Sequence, residues 1–285
     1  MSMFTRVLVG LAVVLSPGWA WGQGRFIVSA PKVESSELRS LAQEMHASGA
    51  LQDVAKSLNE MLILPRDIRM RFEECGEANA YYDSDNHLIS MCLELMDDMA
   101  QTLEPQFEAE DLDTALTGAF VAVVLHEVGH ALVHVLELPI TGREEDAVDQ
   151  LAAWMLIHRE QADSVRGAAA SYYTEDEENG EDDFADEHSL NRQRYYNLMC
   201  WVYGSDPAGN EDLLDEEWGL PEGRASGCEA EYAQLDRSWT RLLRGHVRDG
   251  ARSLPVANDL PSLPPKPVPA GPYAAGGVLR GGPSR

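Results

Sequence analysis

The order of patterns along this 285-residue chain predicts an α+β fold. Three observations carry that expectation. Apolar residues recur in helical steps up to Pro65, strand-like alternation and a hairpin follow from Ile68, and from Ala115 onward the chain returns to long helical segments. Strands grouped together and helices grouped after them make a segregated α+β arrangement rather than an alternating one.

Each element has its own warrant. Between Glu34 and Leu62, Leu38, Leu41, Met45, Leu51, Val54, Leu58 and Leu62 fall at the steps of an amphipathic helix, with a break near Ser48-Gly49. The stretch "IRMRFEECG" alternates apolar and charged residues and predicts a strand from Ile68. "NAYYDSDNHLISMCLEL" predicts two strands around a turn at Asp83 to Asn86, the second running from Leu88 to Leu95. Asp111 and Asp113 suit a helix N-terminus before Thr114. The following run has no proline until Pro139 and is apolar nearly all round, which predicts a helix inside the domain. A second helix is expected from Arg143 or Glu144 through "DQLAAWMLIHRE". The acidic run Thr174 to Glu187 predicts a solvated loop. A calcium loop is the alternative, but the alternating ligands of an EF-hand are missing. "HSLNRQRYYNLMCWVYG" and "GCEAEYAQLDRSWTRLLRGH" predict two more helices, the second with Tyr232, Leu235, Trp239 and Leu242 on one face.

The ends differ from the middle. "MSMFTR" carries one Arg, "VLVGLAVVL" is too short to span a bilayer, and "SPGWAWGQG" offers cleavage after Ala20 or Gly22. Residues 1–22 are therefore expected to be a signal peptide, with an uncleaved anchor as the rival. Residues 23–250 form the expected domain, and the Pro- and Gly-rich residues 251–285 an extended, disordered tail. Secretion or a periplasmic location follows, with no membrane association after cleavage. Four cysteines, Cys75, Cys92, Cys200 and Cys228, allow three pairings; closeness in sequence favours Cys75–Cys92 and Cys200–Cys228. The net charge of -26 argues against nucleic acid or an anionic membrane as partner, because both need clustered Lys and Arg.

The chemistry concentrates in "VVLHEVGHALVHVLELPITGREEDAVDQLAAW". His126 and His130 are four residues apart, so both rings lie on one helical face and can meet one ion, with zinc the fitting choice. Zinc acidifies a water, and Glu127 is placed to take its proton as general base. Gly129 removes a side chain within the helix, at a cost of roughly 1 kcal/mol against Ala, which points to close packing or close substrate approach. His134 is too far along the helix to share the ion. The third ligand is expected at Glu145, with Asp149 holding a ligand His from behind or serving as the alternative ligand. A first helix running to Leu138 would make the return to Glu145 taut: about 12 Å to recover with a connection reaching at most about 17 Å.

The chain resembles the gluzincin metallopeptidases, whose H-E-x-x-H is followed by a helix bearing E-x-x-x-D, here Glu145 to Asp149. More closely, "NAYYD", "HEVGHAL", "GREEDAVDQ" and "DEHSLNRQRYYNLMCWVYG" are similar to motifs of a bacterial family of zinc metallopeptidases with no assigned physiological role. The resemblance covers about Ile68 to Leu243. It implies a zincin-like fold, a small mixed sheet with the metal-binding helix beneath it and a mostly helical C-terminal part. It also implies peptidase activity on a peptide or protein substrate. An edge strand would pair with extended substrate, and Leu88 to Glu94 is the segment expected to do so. For the oxyanion, His188 is the candidate, oriented by Asp186 or Glu187, with Tyr195 or Tyr196 as substitutes. Arg143 is expected to pair with a neighbouring acid. The competing functions are a non-enzymatic binding protein on the same zinc fold and an amidase acting on cell-wall peptides.

Overall fold

A computed structural model describes residues 23–173, 179–214 and 219–248. The expected signal peptide and the tail from 251 lie outside the described residues. The described part is α+β and mostly helical. β1 (Phe26–Val28) leads through α1 (Leu38–Ser48) and α2 (Ala50–Met61) to β2 (Ile68–Glu73), β3 (Ala80–Asp83) and β4 (Leu88–Cys92). Six helices follow: α3 (Leu93–Leu103), α4 (Ala109–Val135), α5 (Glu144–Ile157), α6 (Ala162–Ser171), α7 (Glu181–Ala185) and α8 (Asn191–Ser205). α9 (Glu222–Leu243) is the last helix among the described residues.

The break between α1 and α2 is Gly49, at φ 81, a backbone conformation that costs glycine little. α2 buries Leu51, Val54, Leu58 and Met61 against the sheet end of the core. The sheet is mixed, in the order β1-β2-β4-β3. β1 and β4 flank β2 in parallel, with Met70 opposite Ile89, and β3 runs antiparallel to β4, with Tyr82 opposite Ile89.

That order corrects the expected substrate strand. β4 lies between β2 and β3, so it cannot be an edge. All five of its residues are buried, as suits a strand covered on both faces. The strand also stops at Cys92, and Leu93 to Leu95 turn into α3. The edges are β1 and β3, and β3 is the one next to β4, with Tyr81 exposed.

α4 runs through the middle of the helical part. Its Asp111–Val135 stretch is long and apolar enough to cross a bilayer, but 78% of its most apolar window is buried inside the protein. α3, α5, α6 and the sheet supply that cover. α4 ends at Val135 rather than Leu138, and Glu137 takes a left-handed conformation (φ 51) that turns the chain back. The early end relaxes the return to α5.

Two further differences concern loops. Within the expected acidic loop, Glu181 to Ala185 form one short helix, and the backbone N–H of its N-cap residue, Gly180, donates to Asp183. Residues 174–178 lie outside the described residues. α6 has no counterpart among the expected elements, since its alanine-rich stretch is buried nearly throughout and shows no polar face. The chain is closed by disulfides Cys75–Cys92 and Cys200–Cys228, the pairing that closeness in sequence favours. The second braces α8 against α9.

Candidate metal centre

α4 and α5 cross at Gly129. A β-carbon there would meet Val148 Cβ at 2.7 Å. The missing side chain lets α5 lie against α4, so the first turns of α5 face His126 and His130. Close packing, not substrate approach, explains this glycine.

Three ligand atoms converge across that crossing. Glu145 Oε2 lies 3.1 Å from His126 Nε2 and 3.3 Å from His130 Nε2. The ligand atoms of His126, His130 and Glu145 all fall within 4.8 Å of one another. Each imidazole is also held from behind. Asp149 Oδ1 is 2.7 Å from His126 Nδ1, and Glu144 Oε1 is 2.8 Å from His130 Nδ1. Asp149 therefore stands on the far side of the His126 ring from Glu145, as an orienting group. Glu144, to which the sequence alone assigns no role, does the same for His130.

This donor set fits a cation. An imidazole with carboxylates at both nitrogens has two acceptors but, when neutral, only one N–H. Burial pushes the His126 pKa down, but Asp149 and Glu145 more than offset this and raise it. For His130, burial is likewise outweighed by Glu144 and Glu145, and its pKa rises to about 10. Glu145 is held far below the usual carboxylate range: burial opposes this, but hydrogen bonds from His126, His130 and His188 prevail. Both rings thus call for extra positive charge on their Nε2 side, which one divalent ion among Nε2, Nε2 and Oε2 would supply.

Asp149 is anchored in turn. Arg194, from α8, grips it with Nε at 2.8 Å and Nη2 at 2.7 Å. Both residues are buried, at 8% and 6% exposure. Burial alone would raise the Asp149 pKa, but Arg194 and His126 pull it well down. The guanidinium also stacks on Tyr172, 4.0 Å above the ring.

A cleft opens over these groups, lined by Glu127, His188, Tyr172 and the β3 residues Ala80, Tyr81 and Tyr82. Glu127 is buried and has no hydrogen-bond partner among the described residues. Burial raises its pKa, against the pull of His126 and His130. His188 reaches the site from the loop before α8, with Nε2 2.9 Å from Glu145 Oε2 and Nδ1 3.1 Å from Asp186. The α5 N-terminus holds that loop, because Ser189 donates to Asp146 at 2.6 Å and Arg143 donates to the His188 carbonyl at 3.2 Å. Arg143 thus binds main chain rather than the neighbouring acid expected of it.

Other expectations fall elsewhere. Tyr195 and Tyr196 do not line the cleft; Tyr195 packs on Tyr173 and Tyr196. Besides Tyr81 and Tyr82 of β3, Tyr172 lines the cleft, and no local motif marks it. His134 borders the cleft but bonds to Tyr82 rather than joining the cluster. Arg194 sits inside the "DEHSLNRQRYYNLMCWVYG" motif, yet only the packing of α8 on α5 reveals its partner.

A family model described as "Putative metallopeptidase" matches residues 31–243. No curated protein and no solved structure matches the chain.

Proposed function

Since the chain belongs to that metallopeptidase family, we propose that it is an exported, zinc-dependent peptidase with a zincin-type site of the gluzincin pattern. The observation that carries this is the convergence of His126 Nε2, His130 Nε2 and Glu145 Oε2 beside a buried, unbonded Glu127 at the floor of a cleft.

His126, His130 and Glu145 would hold the ion, with Asp149 and Glu144 fixing the two rings from behind. Zinc supplies a Lewis acid that polarises a carbonyl and acidifies water at neutral pH. Glu127 takes a proton from the attacking water and returns it to the leaving amine, a role suited by a carboxylate whose burial has raised its pKa. His188, oriented by Asp186, donates a hydrogen bond to the carbonyl oxygen as it becomes negative. Extended peptide is placed along β3, the open edge of the sheet beside the cleft. Two disulfides fit an oxidising compartment, in line with export of a domain spanning about residues 23–250.

Elemental analysis and peptide digestion test this reading together. Wild type should carry about one zinc per chain and cut a mixed peptide library. Glu145→Ala should lose the zinc, and Glu127→Gln should keep it without hydrolysis. Zinc with no hydrolysis by wild type would favour the binding protein instead, and release confined to cell-wall peptides would favour the amidase.

A further inference from the structure

The cleft has a second polar cluster, on its β3 side. The Tyr82 hydroxyl lies 3.0 Å from His134 Nδ1 and 3.1 Å from His87 Nδ1. On the far side of His87, Arg66 Nη1 is 3.0 Å from Nε2. Elementary chemistry sets the direction of this chain. A guanidinium only donates, so His87 Nε2 accepts. Burial and the Arg66 charge hold the His87 pKa below its usual value, so the ring is neutral. Its one hydrogen is therefore on Nδ1 and is donated to the Tyr82 oxygen. The phenolic hydrogen then has a single acceptor among the described residues, His134 Nδ1. If both rings donated to the phenol instead, the hydroxyl hydrogen would have no protein acceptor among the described residues, and the Tyr82–His134 contact would lose its hydrogen bond.

His134 consequently carries its hydrogen on Nε2. That atom has no hydrogen-bond partner among the described residues, and the ring borders the cleft. The relay begins at a strained residue: His87 has φ 48, unusual for a side-chain-bearing residue. Asp83 keeps the turn that imposes this, accepting from the backbone N–H groups of Asp85 and Asn86.

We propose that His134 is a substrate-anchoring donor, its Nε2–H binding a main-chain carbonyl of an extended peptide between β3 and α4. This rests on the peptidase reading. His134 is one turn beyond His130, about 6 Å along the helix, which equals roughly two residues of extended chain. The bound carbonyl is therefore about two residues from the bond that is cut. An N–H donor in a cleft that Glu144 and Glu187 also line suits an uncharged carbonyl, whereas a terminal carboxylate would be repelled by those acids. The site thus favours cleavage within a chain over removal of C-terminal residues.

The test uses the zinc-loaded full chain from an exporting host, labelled with ¹⁵N-histidine, and reads the hydrogen on each ring nitrogen by long-range NMR correlation. His134 is assigned by its loss in His134→Gln. The expected result is Nε2–H in wild type and a tautomer mixture in Tyr82→Phe. On an internally quenched peptide chosen from the library digestion, His134→Ala and Tyr82→Phe should raise KM about tenfold with kcat nearly unchanged, the mark of lost uniform binding. His134→Gln, whose amide can still donate, should recover part of the loss. Nδ1–H in wild type, or an unchanged KM in His134→Ala, would overturn the proposal while peptidase activity stood. A wild type that cuts no peptide would overturn the peptidase reading and the substrate role with it, and the tautomer measurement would then decide the direction of the relay by itself.

Discussion

Gly129 lies so close to Val148 that a methyl group on it would stand 2.7 Å from the Val148 Cβ. Carbon atoms pack at about 3.5–4.0 Å, so α5 must move away or tilt if Gly129 gains a side chain. Glu145 and Asp149 flank Val148 on the same helix. Gly129→Ala is expected to cost about 1–3 kcal/mol by overpacking and to weaken zinc binding at least tenfold. Zinc competition titration and urea unfolding read the two effects. Adding Val148→Ala should restore much of the binding; if it does not, the contact is not what sets the site.

Arg194 touches no candidate ligand, yet its bidentate grip keeps Asp149 charged and aimed at His126. Arg194→Gln is expected to lower zinc affinity about 10- to 100-fold, the usual effect of removing a group that orients a ligand. Arg194→Lys keeps the charge but loses the planar fork and should fall between. Equal affinity in all three proteins, by chelator competition, would show that Asp149 needs no such support.

Glu73 is a buried carboxylate bonded by Lys32 at 2.6 Å, Arg71 at 2.7 Å and Ser90 at 2.8 Å. Burial raises its pKa, but these three partners more than compensate, and it ends below the ordinary 4.5. A carboxylate with a depressed folded pKa stabilises the protein above its unfolded pKa. That stability is lost as the pH falls through the folded value. Wild type minus Glu73→Gln should therefore be about 2 kcal/mol at pH 7, shrinking below about pH 4.5, by urea unfolding at a series of pH values. A difference independent of pH would remove Glu73 as the titrating group.

The Cys200–Cys228 bond closes a loop across a sequence separation of 28 residues and ties α8 to α9. Loop-closure entropy gives it about 3.5 kcal/mol. Cys200→Ser with Cys228→Ser should lower unfolding stability by roughly that amount. It should also disturb zinc binding only through α8, which carries Arg194. Calorimetry and zinc content separate the two.

Much of the local order is legible in residue spacing. The three- and four-residue steps mark α1, α2 and α9, alternation marks β2, and the turn residues Asp83 to Asn86 mark the hairpin. Four-residue spacing alone puts His126 with His130 and Glu145 with Asp149. What stays hidden is relational. Nothing in "LISMC" says that β4 pairs with β2 as well as β3, because a strand with only Ser90 to break its apolar run shows no polar alternation and so no exposed side. α6 has no polar stripe to give its period away. Tyr172 and Glu144 gain their positions from helix crossings that depend on Gly129 and on where α4 stops, and local sequence does not encode those angles. Tyr195 is near His188 in sequence, but the helical turn of α8 carries it into the core.

The short range of the contacts that build the candidate metal site has a kinetic consequence. His126 meets Asp149 across 23 residues, whereas Arg194 joins Asp149 from 45 residues further on. Short loops close at lower entropic cost and sooner. The α4–α5 hairpin should therefore be able to capture its ion before α8 docks. A zinc ion would act as a template in refolding, and added zinc should accelerate an early phase while leaving the docking of α8 unchanged.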